Sequence, residues 1–317
     1  MPSGPNNAPV VYRSPSRLER RLRQGNFVVV AEVKPPDSAD LSGFVGSVEV
    51  LRGFADTIEL TDMPLAMPHV ANIAPGALLA QAGFDVMLNV TCRDRNLIAQ
   101  QGYLLAAAAL GIYNVLCVTG DHPGYGDHPY ARPVSEQDAL GLLHLARKLR
   151  DEGTYESGRP LIVPPALFLG AAASPDAPPI EERPLHTARK VEAGADFIET
   201  QPIFDVSAFS RYMARLRDLG VTERAFVIAG IVAVPSVEMA EYLHCIPGIR
   251  APESLADRLR RVPASKRDDE GMRIACETIE AIRAIDGVHG VLIYPLDRPP
   301  EYMARLIDMA GLVAIAG

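Results

Sequence analysis

With 317 residues, 48% of them hydrophobic and 22% charged, the chain can bury one large core and is too evenly mixed for a fibrous or low-complexity protein. Its 31 Lys and Arg against 39 Asp and Glu leave a net charge of -8, and the basic side chains are scattered rather than gathered in a stripe, which argues against a nucleic-acid partner. The longest apolar stretch, 103–118, is broken by Gly111 and Asn114, so no membrane span is expected, and the polar opening 1–9 lacks the apolar core of a signal peptide, so a cytoplasmic location is.

In chain order, the residues up to about Pro15 read as disordered, and a charged short helix over 17–23 is placed to cap the floor of a barrel. Eight short apolar runs then recur at 28–33, 57–60, 86–90, 115–118, 161–167, 197–199, 226–231 and 291–293. Each alternates with a helical stretch, the pattern of an α/β (β/α)8 TIM barrel. The expectation is a polar extension over 1–24 and a single barrel domain over 25–317.

Between the third and fourth runs, Asp94 is a candidate N-cap and Gly111 a stop. After the fourth, Ser135 with Asp138 resembles a capping box, and Leu142, Leu145 and Leu149 supply the apolar stripe. A helix over about 206–220 follows the sixth run. Two connections exceed what a barrel needs: 120–132, a Gly- and Pro-rich loop at an expected active-site end, and 232–287, with extra helices at 237–243, 253–261 and about 266–285.

Several runs end in polar residues that a buried strand has no packing reason to carry. Glu32 closes an otherwise apolar strand before Pro35-Pro36, so desolvation should raise its pKa and suit it to general acid work; the alternative is a salt bridge to Lys34 or another cation. Asp121 follows Thr119-Gly120, where a missing side chain lets a ligand approach, against the alternative of an Asx turn or helix cap. Gln201 offers a donor and an acceptor suited to an amide-edged ring, or is a buried structural amide.

Lys34 could be a Schiff-base nucleophile, but its place before two prolines turns it toward solvent. The 7 histidines show no metal-ligand spacing, so no metal is expected. The 4 cysteines, Cys92, Cys117, Cys245 and Cys276, lack a C-x-x-C pattern and read as reduced and structural. No G-x-G-x-x-G follows a strand.

Taken together, these tips resemble the methylenetetrahydrofolate reductase family over about 26–312. The pieces are Ala-Glu-Val-Lys-Pro-Pro at 31–36 for the family's E-F-F-P-P, Asn-Val-Thr-Cys at 89–92 for its H-L-T-C, and Thr-Gly-Asp at 119–121 for its R-G-D. Arg-Lys-Val-Glu-Ala-Gly-Ala-Asp at 189–196, Thr-Gln-Pro-Ile-Phe-Asp at 200–205, Ala-Gly-Ile-Val at 229–232 and Tyr-Pro-Leu-Asp-Arg at 294–298 come after them in order.

The resemblance implies an oxidoreductase of one-carbon metabolism that reduces 5,10-methylenetetrahydrofolate to 5-methyltetrahydrofolate, with FAD bound (FMN as the alternative) and NAD(P)H as electron donor. By it Glu32 is the general acid, Asp121 lies beside flavin and folate, and Gln201, Tyr294 and Arg298 contact the folate. Thr61, Asn89, Thr91, Thr119, Gly120, Arg189 and Lys190 fall where the family contacts its flavin, and a basic pair at 189–190 also suits a cofactor phosphate. The departures gather on the flavin side: Asn89 replaces a histidine, Thr119 an arginine, and 167–175 a Tyr-containing loop after strand five.

A flavin-free branch taking hydride directly from a nicotinamide, or one served by an electron-transfer partner subunit, is therefore the alternative within the family, and homo-oligomerisation stays open. Two rivals share the barrel. A folate-dependent methyltransferase or demethylase would keep Asp121 and Gln201 without a hydride donor, and a non-catalytic docking subunit would have no use for Glu32, Asp121 and Gln201 together.

Overall fold

Short runs of Val, Ile, Leu and Ala can be buried on both faces only in a parallel sheet covered by helices, and eight of them close on themselves here. The computed structural model describes residues 11–244, 246 and 248–312. Its elements in order are α1 (Arg17–Arg23), β1 (Val28–Val33), α2 (Phe44–Val48), β2 (Thr57–Leu60), α3 (Ile73–Gln81), β3 (Val86–Thr91), α4 (Leu97–Ala109), β4 (Asn114–Val118), α5 (Ala139–Arg147) and β5 (Phe168–Ala173). Then come α6 (Arg183–Ala193), β6 (Phe197–Pro202), α7 (Val206–Asp218), β7 (Phe226–Val232), α8 (Val237–His244), α9 (Glu253–Arg260), α10 (Arg267–Arg283), β8 (Gly290–Tyr294) and α11 (Pro300–Met309).

Every strand pairs in parallel with the next, and β8 returns to β1 to close the barrel. The expected (β/α)8 architecture is therefore present, with α8, α9 and α10 as the extra helices between β7 and β8. None of the described helices is long and apolar enough to cross a membrane.

Alternation along each strand divides the side chains between two cores. Outward residues such as Val29, Ala31, Leu88, Val115, Leu169 and Ile293 pack under the helices. Inward residues Val28, Val30, Met87, Leu116, Phe168, Phe197, Ile228 and Leu292 fill the barrel, and Leu18 and Leu22 of α1 join them from below. The short helix thus closes the floor, as its sequence suggested. Cys92 and Cys117 are buried free thiols and Cys276 is a partly buried one, whereas Cys245 lies outside the described residues.

Four local expectations need correction. The fifth strand is 168–173 rather than 161–167: Pro160, Pro164 and Pro165 cannot donate to a ladder, and Ile162 and Val163 stand 101% and 73% exposed. The segment expected to be the loop after strand five is the strand itself. Asn96, not Asp94, caps α4 by accepting from the Ala99 N–H, because the Asp94 carboxylate is held by Arg93. Asp138 caps α5 without a capping box, since Ser135 sits in a left-handed turn at φ 43°. Of the opening, 1–10 lie outside the described residues, and the rest of the expected disorder ends by Arg13 and Ser14, whose N–H groups donate to the Glu19 carboxylate at 2.8 and 2.7 Å.

Candidate active site

Above its hydrocarbon floor the barrel interior turns polar. Val28 and Val30 point inward on β1, so Glu32 does too; the same period places Glu59 of β2, Asn89 of β3, Glu199 of β6 and Tyr294 of β8 inside. Glu32 and Glu59 are direct partners in the β1–β2 register. Glu59 and Glu199 are each 1% exposed. The Tyr294 hydroxyl donates to the Thr200 carbonyl at 3.1 Å.

Burial dominates the electrostatics of this layer. It pushes the Glu32 carboxyl well above the usual range, and the neighbouring Glu59 charge adds to the rise. Glu59 is raised by burial to about 7, with hydrogen bonds from Asn89 and Glu199 working the other way. Glu199 is pushed well up by burial and then by the charges of Glu59 and Glu32. The same burial and the three carboxyls together drive the Tyr294 phenol upward.

If all three carboxyls were ionised, Glu59 Oε2 and both oxygens of Glu199 would be buried without any partner. A proton on Glu199, directed at the neighbouring Glu59, lowers that cost. A protonated Glu32 is what a general acid requires.

The mouth over β1, β2 and β8 holds a cleft of 690 Å³ whose lining includes Glu32, Thr61, Leu65, Tyr294 and Arg298. Four of the expected site residues therefore converge. Thr61 is buried with its hydroxyl unpartnered, a ready contact for a ligand. Lys34 also lines the cleft, with its ammonium 3.0 Å from Asp297 Oδ1. Arg298 stands at the rim and donates to Asp268 Oδ1 at 3.0 Å. Gln201 lies on β6, partly buried, outside this lining.

The remaining expected contacts are engaged within the fold. Thr91 donates through both its N–H and its hydroxyl to Asp62 Oδ2 at 2.9 and 3.0 Å, and Arg95 closes the group by donating to Asp62 Oδ1 at 3.1 Å. The Thr119 hydroxyl accepts from the Ala139 N–H at the start of α5. Asp121 is exposed and its Oδ2 accepts from the Leu65 N–H at 2.8 Å. Arg93 donates to the carbonyls of both Asp121 and Met63 at 3.1 Å.

Glycines make this close approach possible. Gly120 adopts φ +90°, and a Cβ there would come within 3.1 Å of Thr91 Cβ. A Cβ on Gly126 would lie 2.2 Å from the Ala66 carbonyl oxygen, so the loop after β4 rests directly on the loop after β2. Lys190 turns inward to donate to the Ala172 carbonyl at 2.6 Å, and burial holds its pKa below the usual lysine range. Arg189, one residue and about 100° away on the helix, is exposed.

The two basic residues do not converge, and Asn89 belongs to the interior layer. Thr91, Thr119 and Lys190 have their polar groups turned to other partners, whereas Thr61 and the Asn89 carboxamide oxygen are unpartnered and Arg189 faces outward. As a set these side chains do not assemble a flavin cradle.

Sequence reading missed Glu59 and Glu199 as site residues. The signal was present, since a carboxyl in a short buried strand has no packing role. It also missed the Asp62–Arg95 pair that fixes Thr91.

A family model described as methylenetetrahydrofolate reductase matches residues 17–309. The probable methylenetetrahydrofolate reductase (NADPH) of Caenorhabditis elegans is 25% identical over 202 residues, covering 62% of this chain and 27% of that protein. Methylenetetrahydrofolate reductase (NADH) 1 of Arabidopsis thaliana is 24% identical over 236 residues, 72% of this chain and 38% of that protein. The chain thus spans well under half the length of either relative.

Among solved structures, an uncharacterized Clostridium thermocellum protein, described as binding two copies of 5-methyl-5,6,7,8-tetrahydrofolic acid, shares the fold. Its TM-score is 0.64 at 13% identity, over 94% of this chain and 100% of that one. With a family match that runs from the first residue of α1 to the last of α11, and with Glu32, Thr61, Tyr294 and Arg298 gathered at the barrel mouth, the chain belongs to the methylenetetrahydrofolate reductase family.

Proposed function

We propose that the chain reduces 5,10-methylenetetrahydrofolate to 5-methyltetrahydrofolate in the cytoplasm, with a reduced nicotinamide delivering hydride directly. The observation that carries this reading is Glu32: a largely buried carboxyl that lines a 690 Å³ cleft at the barrel mouth, its pKa pushed well above the usual range by burial and the neighbouring Glu59 charge. Glu32 donates its proton to N10 as the bond from N10 to the bridging carbon breaks, and N5 with that carbon becomes an iminium. Hydride from C4 of the dihydronicotinamide adds to the iminium carbon, giving the N5-methyl group and an oxidised nicotinamide. Glu32, left as a carboxylate, takes a proton back from solvent.

Thr61 and Tyr294 face the reactants from the cleft wall, and Arg298 at the rim supplies a cation for the folate carboxylates. Gln201 offers a pterin its paired donor and acceptor from β6. Asp121 shapes the mouth through its hold on Leu65. No step is assigned to a flavin, because Thr91, Thr119 and Lys190, three of the residues expected to bind one, are engaged elsewhere.

Turnover with dihydronicotinamide deuterated at C4 tests both halves of the proposal. Label recovered in the product methyl group supports direct transfer. Turnover with the label lost to solvent, together with a flavin absorbance spectrum, would replace it with FAD or FMN chemistry. No nicotinamide oxidation with methylenetetrahydrofolate would end the reductase reading.

A further inference from the structure

Glu32 does not stand alone: Glu59 pairs with it across β1 and β2, and Glu199 adjoins Glu59 from β6. Among the described residues, no cation is one of the groups acting on any of the three. The other strands cannot supply one. β4 offers only Cys117, which packs outward, while β5 and β7 contain no ionisable side chain.

From β8 comes Tyr294, raised rather than lowered and so neutral; from β3 comes Asn89, whose carboxamide oxygen is buried without a partner. Lys34, at the end of β1, is drawn out to Asp297. Three buried carboxylates without a counter-ion cannot all be charged. One charge on Glu59, favoured by Asn89 and Glu199 beside it, with two protons on the three carboxyls, is the distribution these neighbours point to.

We propose that Glu59 and Glu199 are positioning residues for the acid step: they share one proton between them and hold the second on Glu32, so the trio releases one proton per turnover and recovers it afterwards. The assignment rests on the reductase reading for its use, but not for its existence. When Glu32 protonates N10 the trio passes from one negative charge to two, and repulsion between carboxylates then drives proton uptake. No electrons move within it.

Two measurements test this. Infrared spectra of the free protein at neutral pH read protonated carboxyls without any substrate. Glu32→Gln and Glu199→Gln should each remove one protonated-carboxyl absorption from the wild-type spectrum, and a wild-type spectrum showing all three ionised would overturn the proposal. The second is the pH profile of kcat/KM. Glu59→Gln removes the charge that holds the Glu32 proton, so the high-pH loss of activity should move down by about one pH unit or more, and Glu59→Asp should restore it in part.

A Glu59→Gln enzyme with reduced rate but an unmoved profile would make Glu59 a packing residue and refute its assigned role. Should the wild type show no folate turnover, the infrared result still decides whether the carboxyls share protons, so the two readings fail separately.

Discussion

Raising the pH should cost this protein stability in a window set by its own interior. Glu59 goes from an ordinary 4.5 to about 7 on folding, so between those values the native state binds a proton that the unfolded chain has lost. Stability on this account is full below about pH 4.5 and declines as pH rises through about 7. With each tenfold change in proton affinity equal to about 1.4 kcal/mol, the loss from Glu59 approaches about 3 kcal/mol.

Glu32 and Glu199, raised in the same direction, carry the decline to higher pH. The perturbation that isolates the effect is Glu59→Gln, which keeps the shape and removes the titration. Thermal unfolding of both proteins from about pH 5 to about pH 8 should show the variant gaining on the wild type by on the order of 5 °C across the range. Surface carboxylates are common to both and cancel. Parallel melting curves at every pH would mean that folding leaves the proton affinity of Glu59 unchanged, and the reasoning about the interior would fail.

Three further outcomes are expected. Glu32→Gln should lower folate turnover at least about a hundredfold while calorimetry still detects folate binding; near-normal turnover would make Glu32 structural. Asp62→Asn leaves Arg95 facing a neutral amide where the side chains are 0% and 14% exposed, and urea unfolding should report a loss of about 3 kcal/mol; an unchanged midpoint would show that the pair is dispensable. Gly126→Ala drives a methyl group into the Ala66 carbonyl and should lift the loop after β4 off the loop after β2, seen as faster proteolysis of residues 122–130 and a raised KM for folate, whereas unchanged values of both would show that the two loops move independently.

Where a strand is a run of branched residues, as in 28–33 or 226–231, period and composition sufficed to find it. β5 escaped because four of the six residues in its Phe-Leu-Gly-Ala-Ala-Ala are Gly or Ala, while the greasier segment before it is interrupted by prolines that only the ladder forbids. Glu32 was legible from its position alone, since an acid before two prolines at a strand end has few structural uses. Its partnership with Glu59 and Glu199 was not, because neighbours across a barrel depend on register and closure between strands distant in the chain.

The flavin side was less legible for a different reason. Thr91, Thr119 and Asp121 are polar residues at strand ends, as expected. Nothing in their local sequence says that Asp62, the start of α5 and the Leu65 N–H claim those groups first.

The floor plug formed by α1 has a further consequence. Leu18 and Leu22 are fully buried among inward-facing hydrocarbon side chains, so among the described residues the floor is shut and the cleft at the mouth is the way in. Reactants, products, water and hydronium all use the same opening. In the proposed reaction, with a pterin and a nicotinamide stacked across it, the carboxyls beneath are cut off from bulk solvent, and the proton spent in that cycle must already be inside. On the proposed reductase reading the barrel is a muzzle-loader: it is charged while empty, fires once when full, and cannot be recharged until the product has left.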